Sequence, residues 1–69
     1  MDYVVIIEKG QEGYGAYVPD LPGCVAAGDS VAEVRQLISE AIPLHLDLMR
    51  QHGETIPPPT SVAEMVRVA

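Results

Sequence analysis

The stretch from Ser30 to Gly53 dictates most of what this chain can become. Ser30-Val31-Ala32-Glu33 fits a capping box, in which the serine hydroxyl accepts from the Glu33 amide while the Glu33 carboxylate reaches back to a free backbone amide. Apolar residues then recur at Val31, Val34, Leu37, Ile38, Ala41, Ile42, Leu48 and Met49, with the His45 ring on the same stripe. That spacing is one buried face of a helix. Glu33, Arg35, Gln36, Glu40, Asp47 and Arg50 belong mostly to the wet side. Pro43 offers no amide to the Ser39 carbonyl, so a kink or a division into two helical pieces is expected there, and Gly53 is a natural stop.

The residues before this helix read as three short strands. Tyr3-Val4-Val5-Ile6-Ile7 is a β-branched and aromatic run too short for a helix. Gly10-Gln11-Glu12-Gly13 supplies a hairpin loop, and Tyr14-Gly15-Ala16-Tyr17-Val18 returns until Pro19, which has no donor for a ladder. Leu21-Pro22-Gly23-Cys24 places Pro and Gly where a type II turn needs them. Cys24-Val25-Ala26-Ala27 follows as a third strand ended by Gly28. Beyond the helix, Ile56-Pro57-Pro58-Pro59-Thr60 is an extended connector, and Val62 to Val68 has strand composition again. The expected order is β-β-β-α-β, an α+β two-layer fold with one long helix on a small sheet. No repeat or shift in composition divides it, so residues 1–69 are read as one domain.

In the first strand Tyr3, Val5 and Ile7 point one way and Val4 and Ile6 the other, so both faces are apolar. A single helix covers one face of a sheet, and the second face needs another molecule. Val4, Ile6, Tyr17 and Val25 are the expected self-association residues. A chain of 69 residues buries only about 60% of its unfolded surface and commonly needs an extra source of stability. One cysteine cannot make an internal disulfide, and no zinc-like spacing is present, so association into a homodimer or higher oligomer is the remedy left.

Ten Asp/Glu against four Lys/Arg give a formal charge of −6, which argues against direct nucleic-acid binding and favours a basic partner. No apolar run approaches a membrane span and the N-terminus has no signal-peptide order, so a cytoplasmic location is expected. Cys24 as a nucleophile would need His45 or His52 as its base, and neither stands in a local motif; the thiol reads as a small buried hydrophobe. The acids are scattered along the chain and Glu33 is used by the cap, so no catalytic metal site and no cofactor are expected. Gly13-Tyr14-Gly15 is a hairpin signal, not a phosphate loop.

The order of these features closely resembles the HicB family of antitoxins. It comprises the hydrophobic first strand, Gly13-Tyr14 opening the second, "VPDLPGC" from Val18 to Cys24, "GDS" from Gly28 to Ser30, and "EAI" from Glu40 to Ile42 followed by His45. The resemblance runs from about Tyr3 to Leu48 with the closing strand beyond. It implies a partial RNase H-like βββαβ fold lacking the catalytic carboxylates of true RNase H enzymes. It also implies a partner: a HicA-type toxin, small and basic, with a double-stranded-RNA-binding-like fold, that cleaves messenger RNA.

On this reading Pro22, Gly23 and Gly28 shape the turns, Asp29 and Ser30 start the helix with Glu33 closing its cap, and Asp20 holds the loop or faces solvent. Many members of the family carry a C-terminal DNA-binding segment. None is visible in a sequence that ends at about Val68 with the fourth strand, so DNA binding by this polypeptide alone is not expected. Glu8, Glu12, Asp20 and Asp29 are the candidates for facing a basic toxin. The rival readings are a stand-alone oligomeric binding module of the same fold with no toxin, and a residual RNase H-like nuclease.

Overall fold

The computed structural model describes residues 1–69. Three strands, β1 (Ile6–Lys9), β2 (Tyr14–Tyr17) and β3 (Val25–Gly28), precede one helix, α1 (Val31–Gln51). The sheet is antiparallel in the order β1-β2-β3, with Ile6 opposite Tyr17, Lys9 opposite Tyr14, Tyr14 opposite Gly28 and Tyr17 opposite Val25. The α+β class expected from the sequence is therefore the one observed.

Between β1 and β2, the Gly10 amide donates to the Gly13 carbonyl at 2.7 Å and closes the four-residue loop. A side chain at Gly13 is ruled out by packing, because a Cβ there would lie 2.6 Å from the Gly28 carbonyl oxygen across the sheet. Val18 to Cys24 then makes two turns in succession: the Leu21 amide donates to the Val18 carbonyl, and the Cys24 amide to the Leu21 carbonyl, each at 3.0 Å. The second carries Gly23 at φ +87°, the positive value a type II turn requires after proline. Turning every three residues points Val18, Leu21 and Cys24 inward, where they supply half of the buried core, joined by Ala16, Val34 and Ile38. A loop here does the packing ordinarily left to strands.

Ser30 caps α1 as expected: its Oγ accepts from the Glu33 amide at 3.1 Å. The Glu33 carboxylate reaches one residue further back than the ideal box, taking the Asp29 amide at 3.3 Å. The helix is one element through Pro43. Pro43 and Ser39 are both exposed, so the carbonyl that loses its intrahelical bond lies on the side where water can serve it. Val34 and Ile38 are buried, and Ala41, Ile42, Leu46 and Met49 pack against them. Leu48, placed on the buried stripe by periodicity, is instead 53% exposed beside an exposed Leu44, and Leu46 packs inward.

Two sequence expectations need correction. The first strand is displaced: Tyr3, Val4 and Val5 are half-buried but unpaired, and the ladder starts at Ile6. Continuing the register would set Val5 opposite Val18, whose amide faces β3 and bonds the Cys24 carbonyl, and Val4 opposite Pro19, which has no amide to give to β1. The fourth strand is not formed within the chain: Val62 to Val68 makes no strand pairing. Val62, Met65, Val66 and Val68 are 78%, 98%, 79% and 86% exposed, so the composition for a strand is present and the neighbour is not. The Cα radius of gyration, 13.4 Å, exceeds the roughly 11 Å of a compact chain of this length because this tail leaves the body.

Candidate functional site

Antiparallel pairing gives the sheet two unlike ends. At the hairpin end lie the Gly10–Gly13 loop and, through the pairing of Tyr14 with Gly28, the start of α1. Glu12, Asp29 and Glu33 line an open depression of about 560 Å³ there, floored by Gly13, Gly15 and Gly28. The Glu33 carboxylate lies over Gly28 and accepts the Asp29 amide, so a side chain at Gly28 would displace it. Glu8 belongs to the same end, opposite Gly15, and is exposed. The hairpin end thus collects four acids, three of them among the four selected from sequence, with Lys9 the nearby base in β1. Such a surface suits a cationic side chain or a basic protein face.

Asp20 lies at the other end and has a different occupation. Its Oδ2 accepts the amides of Thr60 and Ser61 at 3.1 and 3.0 Å, and its Oδ1 accepts their hydroxyls at 3.1 and 2.9 Å. The Ser61 amide, ahead of its hydroxyl and the two Thr60 donors, holds the Asp20 carboxyl below the usual carboxylate range. This clamp fixes the connector after α1 to the turn after β2, helped by the Tyr3 hydroxyl, which donates to the Pro57 carbonyl at 2.5 Å. The sequence reading had Asp20 either holding the loop or facing solvent, and did not identify Thr60 and Ser61 as its donors. A signal was available: after Pro57-Pro58-Pro59, three residues without an amide, Thr60 and Ser61 present four donors together, a group in need of an acceptor.

The other candidates fall into place around these two ends. Cys24 is 2% exposed, and burial pushes its thiol up, which suppresses the thiolate a nucleophile needs. His45 is half-buried at the turn, where a Cβ on Gly23 would sit 3.7 Å from its Cε1, and His52 caps the C-terminus of α1. No three His, Cys, Asp or Glu side chains are grouped so as to hold a metal ion. No helix is long and apolar enough to cross a membrane. Gly23 after Pro22 makes its turn and Ser30 with Glu33 makes the cap, whereas Gly28, expected to shape a turn, is the last residue of β3, opposite Tyr14 and beneath the Glu33 side chain, where a Cβ would meet that carboxylate at 2.8 Å.

The residues selected for self-association form a row. Ile6, Tyr17 and Val25 stand opposite one another across all three strands. Their neighbours Ile7, Ala16 and Ala26 belong to the core, so the row lies on the face turned from the helix. Tyr17 is 41% and Val25 64% exposed, Ile6 is half-buried, and Val4 is half-buried just before the ladder begins.

The family described as HicB-like antitoxin of bacterial toxin-antitoxin system matches residues 3–68. A 14.9 kDa uncharacterized protein of the rep-hol intergenic region of Haemophilus phage HP1 is 36% identical over 66 residues, which are 96% of this chain and 50% of the phage protein. The chain thus spans about half the length of that relative. UPF0150 protein Ta0767 of Thermoplasma acidophilum is 41% identical over 58 residues, 83% of this chain and 84% of that one. Among solved structures, a chain of the HicA3 and HicB3 toxin-antitoxin complex superposes with a TM-score of 0.73 at 33% identity, covering 86% of this chain and 70% of that one.

Proposed function

Because this chain belongs to the family of HicB-like antitoxins of bacterial toxin-antitoxin systems, we propose that it binds and neutralises a small basic HicA-type toxin that cleaves messenger RNA. The observation that carries the reading is its likeness to a chain of a solved toxin-antitoxin complex. The charge distribution supports it physically. A nuclease acting on RNA must present cations to phosphates. A partner that lays carboxylates over those cations competes with the substrate for the same groups. Glu8, Glu12 and Asp29, with Glu33 at the edge of the depression, supply such carboxylates at one end of the sheet. Asp20 acts from the opposite end by holding the connector.

On this reading the protein inhibits by occupying a surface and performs no chemistry of its own. Its work is done in the cytoplasm, where messenger RNA is cut. Co-expression with the toxin encoded beside it tests the proposal. Growth is restored and the two proteins co-purify in fixed ratio if the reading holds. A toxin that remains active in the presence of excess antitoxin, with no complex on a sizing column, refutes it.

A further inference from the structure

Three leucines of α1 stand in water at coiled-coil spacing. Leu37, Leu44 and Leu48 are 38%, 65% and 53% exposed, and with the half-buried Ala41 they follow steps of four, three and four residues. At about 3.6 residues per turn these positions share roughly 60° of arc, beside the face that Val34, Ile38 and Ile42 turn to the core. On the other flank of the leucines Glu33, Glu40 and Asp47 recur every seven residues, all exposed. The surface of the helix therefore runs from core to leucine seam to acidic file. We propose that this seam seats a basic amphipathic helix of the toxin, its apolar stripe on the leucines and its Lys or Arg side chains on Glu40 and Asp47. The inference rests on the antitoxin reading and extends its contact surface from the end of the sheet along α1.

Charge selects that occupant. The file beside the seam is of one sign, so a helix with cations flanking its apolar stripe gains where a neutral or acidic one does not. A second copy brings the same acids, and in antiparallel packing Glu40 of one would face Asp47 of the other. The tail from Val62 to Val68 carries one acid and one base, Glu64 and Arg67, and has no cationic file to offer. The acids are also available: Glu40 accepts from the Gln36 side chain at 2.9 Å and Asp47 from Arg50 at 3.0 Å. Both bonds are exposed and of small net worth, so exchanging them for a partner's cations costs little. Glu33 belongs to both surfaces, lining the depression at the hairpin end and starting the file, which makes the seam a continuation of the acidic end. At its far end the seam runs into a hollow of about 380 Å³ lined by Pro22, Leu48 and Met49, with room for an apolar side chain of the incoming helix.

The test is the Kd for the labelled toxin encoded beside the chain, measured for the parent, for Leu44→Ala with Leu48→Ala, and for Glu40→Lys with Asp47→Lys, with sedimentation equilibrium of each protein alone. All four side chains are exposed, so the substitutions leave the fold intact, and circular dichroism checks this. Expected are a Kd raised at least about tenfold by the leucine pair at any salt concentration, and a similar rise from the charge pair that shrinks at high salt. A parent that binds the toxin and a leucine pair that binds it equally well overturn the seam and leave toxin neutralisation standing. A parent that does not bind the toxin overturns both. A leucine pair that alters the protein's own assembly with the toxin Kd unchanged assigns the seam to a second copy and overturns the proposal.

Discussion

Asp20 receives both the amide and the hydroxyl of Ser61, at 3.0 and 2.9 Å, across forty-one positions of sequence. With the matching pair from Thr60, one carboxylate ties the turn after β2 to the chain beyond α1. Replacing it by alanine leaves four donors without their acceptor and releases the connector. Limited proteolysis should then cut Asp20→Ala between Thr60 and Arg67 several times faster than the parent, while the sheet and helix keep their far-ultraviolet dichroism. Asn, which keeps one acceptor oxygen, should fall between the two.

The same clamp has a pH dependence of defined sign. The folded Asp20 carboxyl lies below its unfolded value, so in acid the unfolded or released state binds the extra proton. Its stabilising contribution is fully present above the unfolded carboxylate value and is lost as pH falls through the folded one. In an NMR titration, the Thr60 and Ser61 amide shifts should move together, with a midpoint below that of an aspartate in a short peptide. A midpoint at the peptide value would remove the electrostatic part of the clamp.

Ser30→Ala removes the acceptor of the Glu33 amide at the first turn of α1. The expected loss is about 1 kcal/mol, which for a domain of this size lowers the melting temperature by roughly 4–8 °C. Glu33→Gln should cost less, because its amide oxygen still accepts from Asp29. Urea denaturation of the three proteins orders them.

Cys24 should behave as a core residue. A thiol reagent in excess should modify it no faster than the protein opens, and Cys24→Ala should retain toxin inhibition with a stability loss of about 1–2 kcal/mol, the scale of a small core truncation. Rapid stoichiometric labelling of the native protein would place the thiol at the surface and contradict its burial.

Charge reversal at Glu12 and Asp29 tests the acidic end. Both residues are exposed and neither is in the core, so the double change to lysine should preserve the fold. Association with a basic toxin should slow by about tenfold or more at low ionic strength and by much less at high salt, because screening removes the steering term. Equal rates at all salt concentrations would place the contact elsewhere.

The features legible in the sequence were those fixed by short-range chemistry. Ser30 and Glu33 specify a cap by their spacing alone, Pro22-Gly23 specifies a turn by its φ values, and the four-residue loop before Tyr14 specifies a hairpin. The cross-strand row of Ile6, Tyr17 and Val25 followed from alternation once the turns were known. What escaped depended on partners distant in the chain. Composition says that Val62 to Val68 favours a strand, but pairing requires an edge, and none in the same chain takes it. Asp20 was left between holding the loop and facing solvent because its four donors lie some forty residues downstream. Leu37 and Leu48, placed on the buried stripe, are exposed, and Leu46, which the stripe left out, packs inward, because spacing fixes the angle between side chains and the sheet decides which edge of the stripe is covered.

The consecutive turns from Val18 to Cys24 give the molecule a mechanical asymmetry. Where they fold under Val34 and Ile38, nearly every inward side chain is locked by its neighbours, and movement there requires the whole domain to open. The opposite extremity is made of glycines and water-facing carboxylates, held by the Gly10–Gly13 bond and the cap of α1 and by no buried side chain of the core. A partner arriving at that extremity meets a surface able to adjust by small amounts while the rest of the body stays rigid behind it, as a stiff handle carries a compliant tip.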